Sequence, residues 1–250
     1  GGGGSPVIRG FEANRVLLVV DGVRMNNAIY RTGHLQNSIT IDPNNIERVE
    51  VIFGSSSVGY GSDALGGVIH YYTKSPRINN DKKFKTSFNS QLQTANNSTL
   101  NNFTTELSFE KWASLSSISF SDFGDIKIGK KRNHGYKNWG LTPFYSNNNT
   151  NNYNPNQNEN KDPNIQKNTN YNQLDILQKF SFLIAPKKQL LLNFQFSKSS
   201  NIPRYDKLVE EKNGSLNFAE WSYGPQQRLM IAPQFKFFSE KKFLNKGSLI

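Results

Sequence analysis

The sequence predicts a mainly β protein in which a small, partial α/β unit is followed by antiparallel strands of a transmembrane β-barrel. Three observations carry that reading. Up to residue 76, short apolar runs of strand length are bounded by turn residues. Beyond residue 80, apolar and polar residues alternate with period 2, as in strands with two unlike faces. The connections between these later strands are tight turns or long polar loops.

Taken in order, the first runs are Val16-Leu17-Leu18-Val19-Val20, closed by Asp21-Gly22, then Val49-Glu50-Val51-Ile52-Phe53, closed by Gly54-Ser55, and then Gly67-Val68-Ile69-His70-Tyr71-Tyr72. Asp42-Pro43-Asn44-Asn45 reads as a turn, or one helical turn, leading into the second run. The texture changes at Lys74-Ser75-Pro76, which sets the expected boundary between a unit at 1–76 and a second at 77–250. In the second unit Phe84, Phe88 and Leu92 alternate with Lys85, Asn89 and Gln93. Comparable patterns run through Phe103–Phe109, Leu174–Ile184, Leu190–Phe196 and Leu229–Phe237, with Leu177 and Leu183 interrupting the polar face of the second of these.

Tight turns are expected around Lys111, Pro186 and Lys241, and long polar loops at about 124–172 and 199–227. Structureless loops of that length are rare in compact soluble domains. Short turns on one side and long loops on the other suit a barrel whose strands are apolar outside and polar inside. A sandwich or propeller also alternates its strands. The last residues, Ser248-Leu249-Ile250, lie within an alternating pattern, so the 250 residues read as a window on a longer chain.

Composition narrows the function classes. Hydrophobic residues make up 35% and aromatics 12%, with 20% charged, and disorder would require few aromatics and high charge. The absence of Cys excludes a disulfide framework, a thiolate zinc site and a thiol nucleophile. No apolar run approaches about 18 residues, so no transmembrane helix is expected. A net charge of +11 would suit a nonspecific binder of anionic polymer. However, Lys and Arg are spread over turns and strand ends rather than interleaved with stacking aromatics, which argues against nucleic acid and suits anionic lipid head groups. Roughly half of the residues between Ser146 and Asn172 are Asn, a composition that lacks the apolar area to fold alone. Asp21, Asp42 and Asp63 fall in turns, and no nucleophile–base pair is offered, so no enzyme activity is expected.

Four segments in series carry a family resemblance: Pro6–Phe11, Val19–Arg24, Ile46–Val51 and Tyr60–Ile69. Together they resemble the plug domain of TonB-dependent outer-membrane receptors, and of the haem and haemoglobin receptors among them. The resemblance implies a plug inside a roughly 22-stranded antiparallel transmembrane β-barrel. It further implies a place in the outer membrane of a Gram-negative bacterium, energy from TonB with ExbB and ExbD, and transport without an intrinsic cofactor. The plug residues it singles out are Arg9, Gly10, Asp21, Gly22, Glu47, Arg48, Gly61, Gly66 and Gly67, with Arg9, Arg48, Glu47 and Glu50 suited to pairing with the barrel wall.

Tyr30-Arg31-Thr32-Gly33-His34-Leu35-Gln36 resembles the apical plug loop of haem receptors, where a Gly-His-Leu sequence presents an axial ligand. Neutral imidazole binds haem iron, so His34 is the candidate metal-ligating residue toward the cargo, with Tyr30 beside it and His134 as a second candidate ligand in an outer loop. His70 lies in a strand and reads as structural. Tyr205 and Trp221 suit either a planar aromatic ligand or an interfacial girdle. Haem or haem-protein is the leading ligand, with a ferric siderophore, cobalamin or an oligosaccharide as alternatives.

Overall fold

The computed structural model describes residues 6–12, 15–25, 38–147, 154–238 and 246–249. Strand β1 (Val16–Val20) is buried along its whole length, which explains why it is apolar at every position instead of at alternate ones. It pairs in parallel with β4 (Gly67–Thr73), so that Val16 lies opposite Gly67 and Val20 opposite Tyr71. The short β2 (Val23–Arg24) turns back antiparallel on β1. Strand β3 (Ile46–Ile52) flanks β4 antiparallel on the other side, completing the order β2-β1-β4-β3. The expected helical turn is a 3-10 turn, Pro43–Asn45, capped by the Asp42 side chain, which accepts the Asn44 N–H at 2.9 Å. Leu17, Val19, Ala64 and Val68 form one core cluster, closed by Ile52 and Tyr60.

Seven strands follow as a continuous antiparallel meander. They are β5 (Lys83–Gln93), β6 (Ser98–Ser108), β7 (Trp112–Phe123), β8 (Tyr171–Ala185), β9 (Lys188–Ser199), β10 (Gln227–Phe238) and β11 (Lys246–Leu249). Each pairs with its sequence neighbour, and two tight connections on one side are the turn closed by the Phe109 N–H to Trp112 carbonyl bond and the Pro186-Lys187 turn. One short connection, Thr94–Asn97, also lies on the long-loop side, so the alternation of loop lengths begins only at the next loop.

The two faces of this wall are unlike. Phe84, Phe88, Leu92, Phe103, Ile118, Phe120, Leu229 and Ile231 are exposed on the outside. Asn102, Ser117, Ser119, Gln173, Asp175, Lys179, Asn193 and Gln195 are buried on the inside, against the plug. That arrangement is apolar out and polar in, as lipid requires. Leu177 is one of the inward residues and is buried, while Leu183, at the end of β8 just before a bulge between Leu183 and Ala185, is exposed. Stacked aromatic pairs mark both ends of the wall: Phe109 with Trp112 at 4.5 Å and Phe123 with Tyr171 at 4.6 Å. Among the described residues no helix is long and apolar enough to cross a membrane.

The plug and the wall share one core. Val20 and Ile41 of the plug pack with Met230 of β10, flanked by Val23, Met25, Ile46 and Tyr71.

The two long loops carry short ladders of their own. Ile126–Lys127 pairs with Ile165–Gln166, Phe144–Ser146 with Gln157–Glu159, and Ile202–Pro203 with Ser222–Tyr223. In the Asn-rich stretch, side chains replace the missing apolar core by bonding to backbone. Asn160 is buried and donates to the carbonyls of Thr142 and Ile165, both at 2.8 Å, and Asn168 donates to that of Ser146 at 3.0 Å. The described part of this loop is therefore folded, against the expectation from composition.

Candidate functional site

The plug meets the wall at the β1–β2 turn. Asp21 and Gly22 both have positive φ (50° and 89°), the pattern of a two-residue type I′ hairpin turn, for which Asp-Gly is a preferred pair. This turn aims the Asp21 carboxylate at β8 and β9. Its Oδ2 receives Lys179 Nζ at 3.0 Å, Asn193 Nδ2 at 2.8 Å and Gln195 Nε2 at 3.0 Å. Thr73 of β4 adds its hydroxyl to Oδ2 at 2.6 Å and its N–H to Oδ1 at 2.8 Å. Burial opposes the charge on Asp21, but the Lys179 ammonium and the Thr73 bonds outweigh it and hold the carboxyl below its usual range. The Lys179 ammonium also donates to the Thr73 carbonyl and the Ser75 hydroxyl, both at 3.2 Å.

His70 supports the same turn from below. Gly22 N–H donates to His70 Nε2 at 3.1 Å, and Nδ1 lies 3.3 Å from the Tyr60 hydroxyl. Nε2 therefore carries a lone pair, and the neutral ring has its proton on Nδ1. The ring stacks on Tyr72 at 3.9 Å. Burial lowers the His70 pKa, opposed in part by Glu50 and Asp21. This is the structural role expected of it.

A second contact lies beside the first. Ser119 donates to Asp42 Oδ2 at 2.5 Å, Gln173 Nε2 to the Ile39 carbonyl at 2.7 Å, and Arg228 Nη2 to the Thr40 carbonyl at 2.9 Å. A cavity of about 470 Å³ opens next to Asp21 and Lys179, lined also by Arg48, His70, Tyr72 and Lys236.

The other plug residues singled out in the sequence divide by role. Arg9 and Gly10 (φ 50° and 81°) form a hairpin turn closed by paired bonds between Ile8 and Phe11, and the Arg9 guanidinium lies 4.5 Å over the Phe53 ring. Arg48 binds Glu50 at 2.7 Å and covers the Tyr72 ring at 3.6 Å, while Glu47 meets Arg77 at 3.3 Å. Among the described residues Arg48, Glu50 and Glu47 form ordinary ion pairs within the plug or with the connector that follows it, the other reading open to them besides pairing with the barrel wall. Among the described residues, the ion pair that crosses to the wall is Asp21–Lys179. Gly61 has φ 96°, and Gly66 packs against Phe11. At Gly67 (φ 141°) a Cβ would come within 2.8 Å of the Ile52 carbonyl oxygen, so only glycine lets β4 enter beside β3.

Of the outer candidates, Tyr30 and His34 lie outside the described residues. His134 is on the surface of the first long loop, with Tyr136 and Trp139 around it at ring distances of 5.7 and 5.4 Å. Its Nδ1 accepts the Tyr136 N–H at 3.1 Å, so the neutral ring presents an N–H at Nε2. Ligation of iron through Nε2 would require that bond to break and the proton to move. Tyr205 joins the two long loops through its hydroxyl, 2.6 Å from Thr142 Oγ1. Trp221 packs edge-on against Phe218 at 4.6 Å and stays partly exposed. His134, Tyr205 and Trp221 thus sit in the long loops, remote in sequence from the plug–wall contact. Lys179, Asn193, Gln195 and Arg228 were not anticipated from the sequence. The available signal was Lys179 itself, an ionisable residue in the middle of a membrane strand.

Comparison with known proteins agrees with this architecture. Residues 1–68 match the family model "TonB-dependent Receptor Plug Domain". Over 66 residues the chain is 48% identical to a hemin receptor of Yersinia enterocolitica, covering 26% of this chain and 9% of that protein. Over 143 residues it is 36% identical to the vitamin B12 transporter BtuB of Vibrio vulnificus, covering 57% of this chain and 23% of the other. The solved structure of the FrpB iron transporter from Neisseria meningitidis superposes with a TM-score of 0.70 at 18% identity, covering 98% of this chain and 34% of that one. The chain thus spans under a tenth of the hemin receptor and about a third of the solved transporter. Family and fold are those of transport receptors, not of enzymes. Residues 1–68 thus match the TonB-dependent receptor plug domain, and the strands that follow share the fold of the solved transporter.

Proposed function

We propose that the whole receptor lies in the outer membrane of a Gram-negative bacterium and imports haem, or iron taken from a haem-protein, with energy supplied by TonB, ExbB and ExbD. The observation that supports haem is the 48% identity with the hemin receptor. In this reading residues 1–76 are the plug and 77–250 the beginning of the barrel. Haem is cargo and not a resident cofactor. His34 supplies an imidazole to the iron, Tyr30 packs beside the macrocycle, and Tyr205 and Trp221 belong to the loops that receive it. His134 contributes as a hydrogen-bond donor through Nε2 in the arrangement described, and as an iron ligand only after its bond to Tyr136 is broken. Arg9, Gly10, Asp21, Gly22, Glu47, Arg48, Gly61, Gly66 and Gly67 serve the shape and seating of the plug.

Titration of the full-length receptor with haemin tests the reading. A shift of the Soret band that His34→Ala abolishes, with a marked loss of affinity, is the expected result. An unchanged spectrum and affinity in His34→Ala removes that residue from the site, and no haemin binding at all overturns the ligand. Cobalamin is the second reading, favoured by the longer match, 143 residues, to the vitamin B12 transporter. Growth of a deletion strain on each compound as sole source separates the two.

A further inference from the structure

Three of the donors that hold Asp21 belong to the wall, and two of these three are bonded to other wall residues. Lys179 and Asn193 are direct cross-strand partners on β8 and β9, and Gln195 is the next inward residue along β9. Arg228 of β10 donates to Gln195 Oε1 at 3.0 Å, which turns the Gln195 amide so that its Nε2 faces Asp21. Gln195 Nε2 also donates to Asn193 Oδ1 at 3.2 Å, which leaves Asn193 Nδ2 for the same carboxylate oxygen. One ammonium and two amide N–H groups therefore converge on one point of the inner wall. The three partners of the Lys179 ammonium, in contrast, are Asp21, Thr73 and Ser75, all on the plug or the connector that leaves it. Lys179 is 1% exposed. If the plug is displaced, this ammonium loses these three partners while the wall donors beside it remain, and a carboxylate entering there would restore the charge-assisted bonds that Asp21 made. The cavity beside Asp21 and Lys179 provides the approach, and Lys236 on its wall adds a second cation.

We propose that Lys179, Asn193 and Gln195 form a carboxylate-binding recess in the barrel wall, filled at rest by Asp21 of the plug and filled by a carboxylate of the cargo when the plug is displaced. The proposal rests on the haem reading for its physiological ligand, since haem carries two propionate groups. The three donors of the recess all stand on the wall strands β8 and β9. Charge balance is kept at each stage, because one carboxylate replaces another against the same ammonium.

The test uses the full-length receptor in detergent, with Asp21→Ala to empty the recess and sodium propionate as the probe. Propionate is expected to raise the melting temperature of Asp21→Ala saturably by several degrees over sodium chloride at equal ionic strength. It should leave the wild type, whose recess is filled, no different from chloride. Adding Lys179→Met to Asp21→Ala should remove the effect. Equal shifts with propionate and chloride, or a propionate effect that survives Lys179→Met, overturn the recess. If Asp21→Ala is recovered only unfolded, its refolding yield in propionate against chloride is the readout, and equal yields overturn the proposal in the same way. A second arm follows uptake of haemin and of haemin dimethyl ester by cells carrying the wild type or Asn193→Ala. Slower uptake of the ester by the wild type, with the difference narrowed in the variant and surface binding unchanged, is expected, while equal uptake of the two compounds by the wild type removes cargo carboxylates from the recess. Failure of all haem uptake with propionate rescue intact would overturn the haem reading and leave the recess standing.

Discussion

Strands β1 and β8 are both largely buried, yet they are built on opposite rules. In β1 all five residues are Val or Leu and none is more than 1% exposed, because the strand is covered on both faces within the plug. In β8 the buried residues are Gln173, Asp175, Leu177, Lys179 and Ser181, while Leu174, Ile176, Gln178 and Phe180 between them lie on the opposite face and are only partly buried. The difference shows what each neighbourhood asks of a side chain. The plug interior removes apolar area from water, at about 25 cal/mol per Å². The inner wall faces another protein surface across a polar seam, where stability comes from satisfied hydrogen bonds and one paired charge. Lipid, not the protein interior, takes the apolar side chains of the wall.

The most direct way to break this contrast is to put a charge where β1 forbids it. Leu17→Asp buries an unpaired carboxylate in the plug core and is expected to cost more than about 4 kcal/mol, read as loss of folded receptor on heat-modifiability gels. Normal yield and melting would mean that the plug core is wetter than its burial indicates. Lys179→Met makes the reverse change in the wall. It strips the ammonium from Asp21 and should cost about 3 kcal/mol. Because Asn193, Gln195 and Thr73 still bind the carboxylate, combining it with Asp21→Asn should recover much of the loss. A double-mutant cycle by thermal melting gives the coupling, and additive effects would show that the pair contributes nothing specific.

A subtler expectation concerns pH. His70 is held below its usual pKa, so the unfolded chain takes up its proton first. Its contribution is present above about pH 6.5 and is lost as pH falls through the lower native value. Asp21 is also lowered, but its contribution persists down to about pH 3.9 and disappears only below that, through its own native value. Melting temperatures between pH 7 and 5 should therefore decline in the wild type and decline less in His70→Gln, whereas parallel curves would remove His70 from the effect. The smallest change is expected at the exposed pair Lys85–Glu106, 3.8 Å apart, where Lys85→Ala should alter stability by no more than about 0.5 kcal/mol. A larger loss would mean that this inner-face pair is desolvated in the complete barrel.

Much of this organisation was legible before any coordinates. Val16–Val20 announces a two-sided strand because five consecutive apolar residues have no solvent face to spare. Asp21-Gly22 announces a hairpin because few other pairs tolerate positive φ twice in succession. For the Asn-rich loop, composition foretold the missing apolar core but not what takes its place in the described part. Composition measures apolar area, and Asn160 and Asn168 stabilise their loop through amide bonds to distant carbonyls that composition does not count. The partners of the plug charges stayed open between the barrel wall and the plug surface, because a charge in sequence carries no indication of which side of a gap its partner occupies.

What the sequence determined by itself is everything set by local period and local backbone: where strands run, which residues share a face, where the turns fall and which family pattern they spell. The tertiary structure decided which faces meet. Lys179 reaches Asp21 only because the register of β8 against β9 and the seating of the β1–β2 turn bring inward side chains together with a carboxylate far away in the chain. Alternation has period 2 and no memory beyond its strand, so no local signal could pair them.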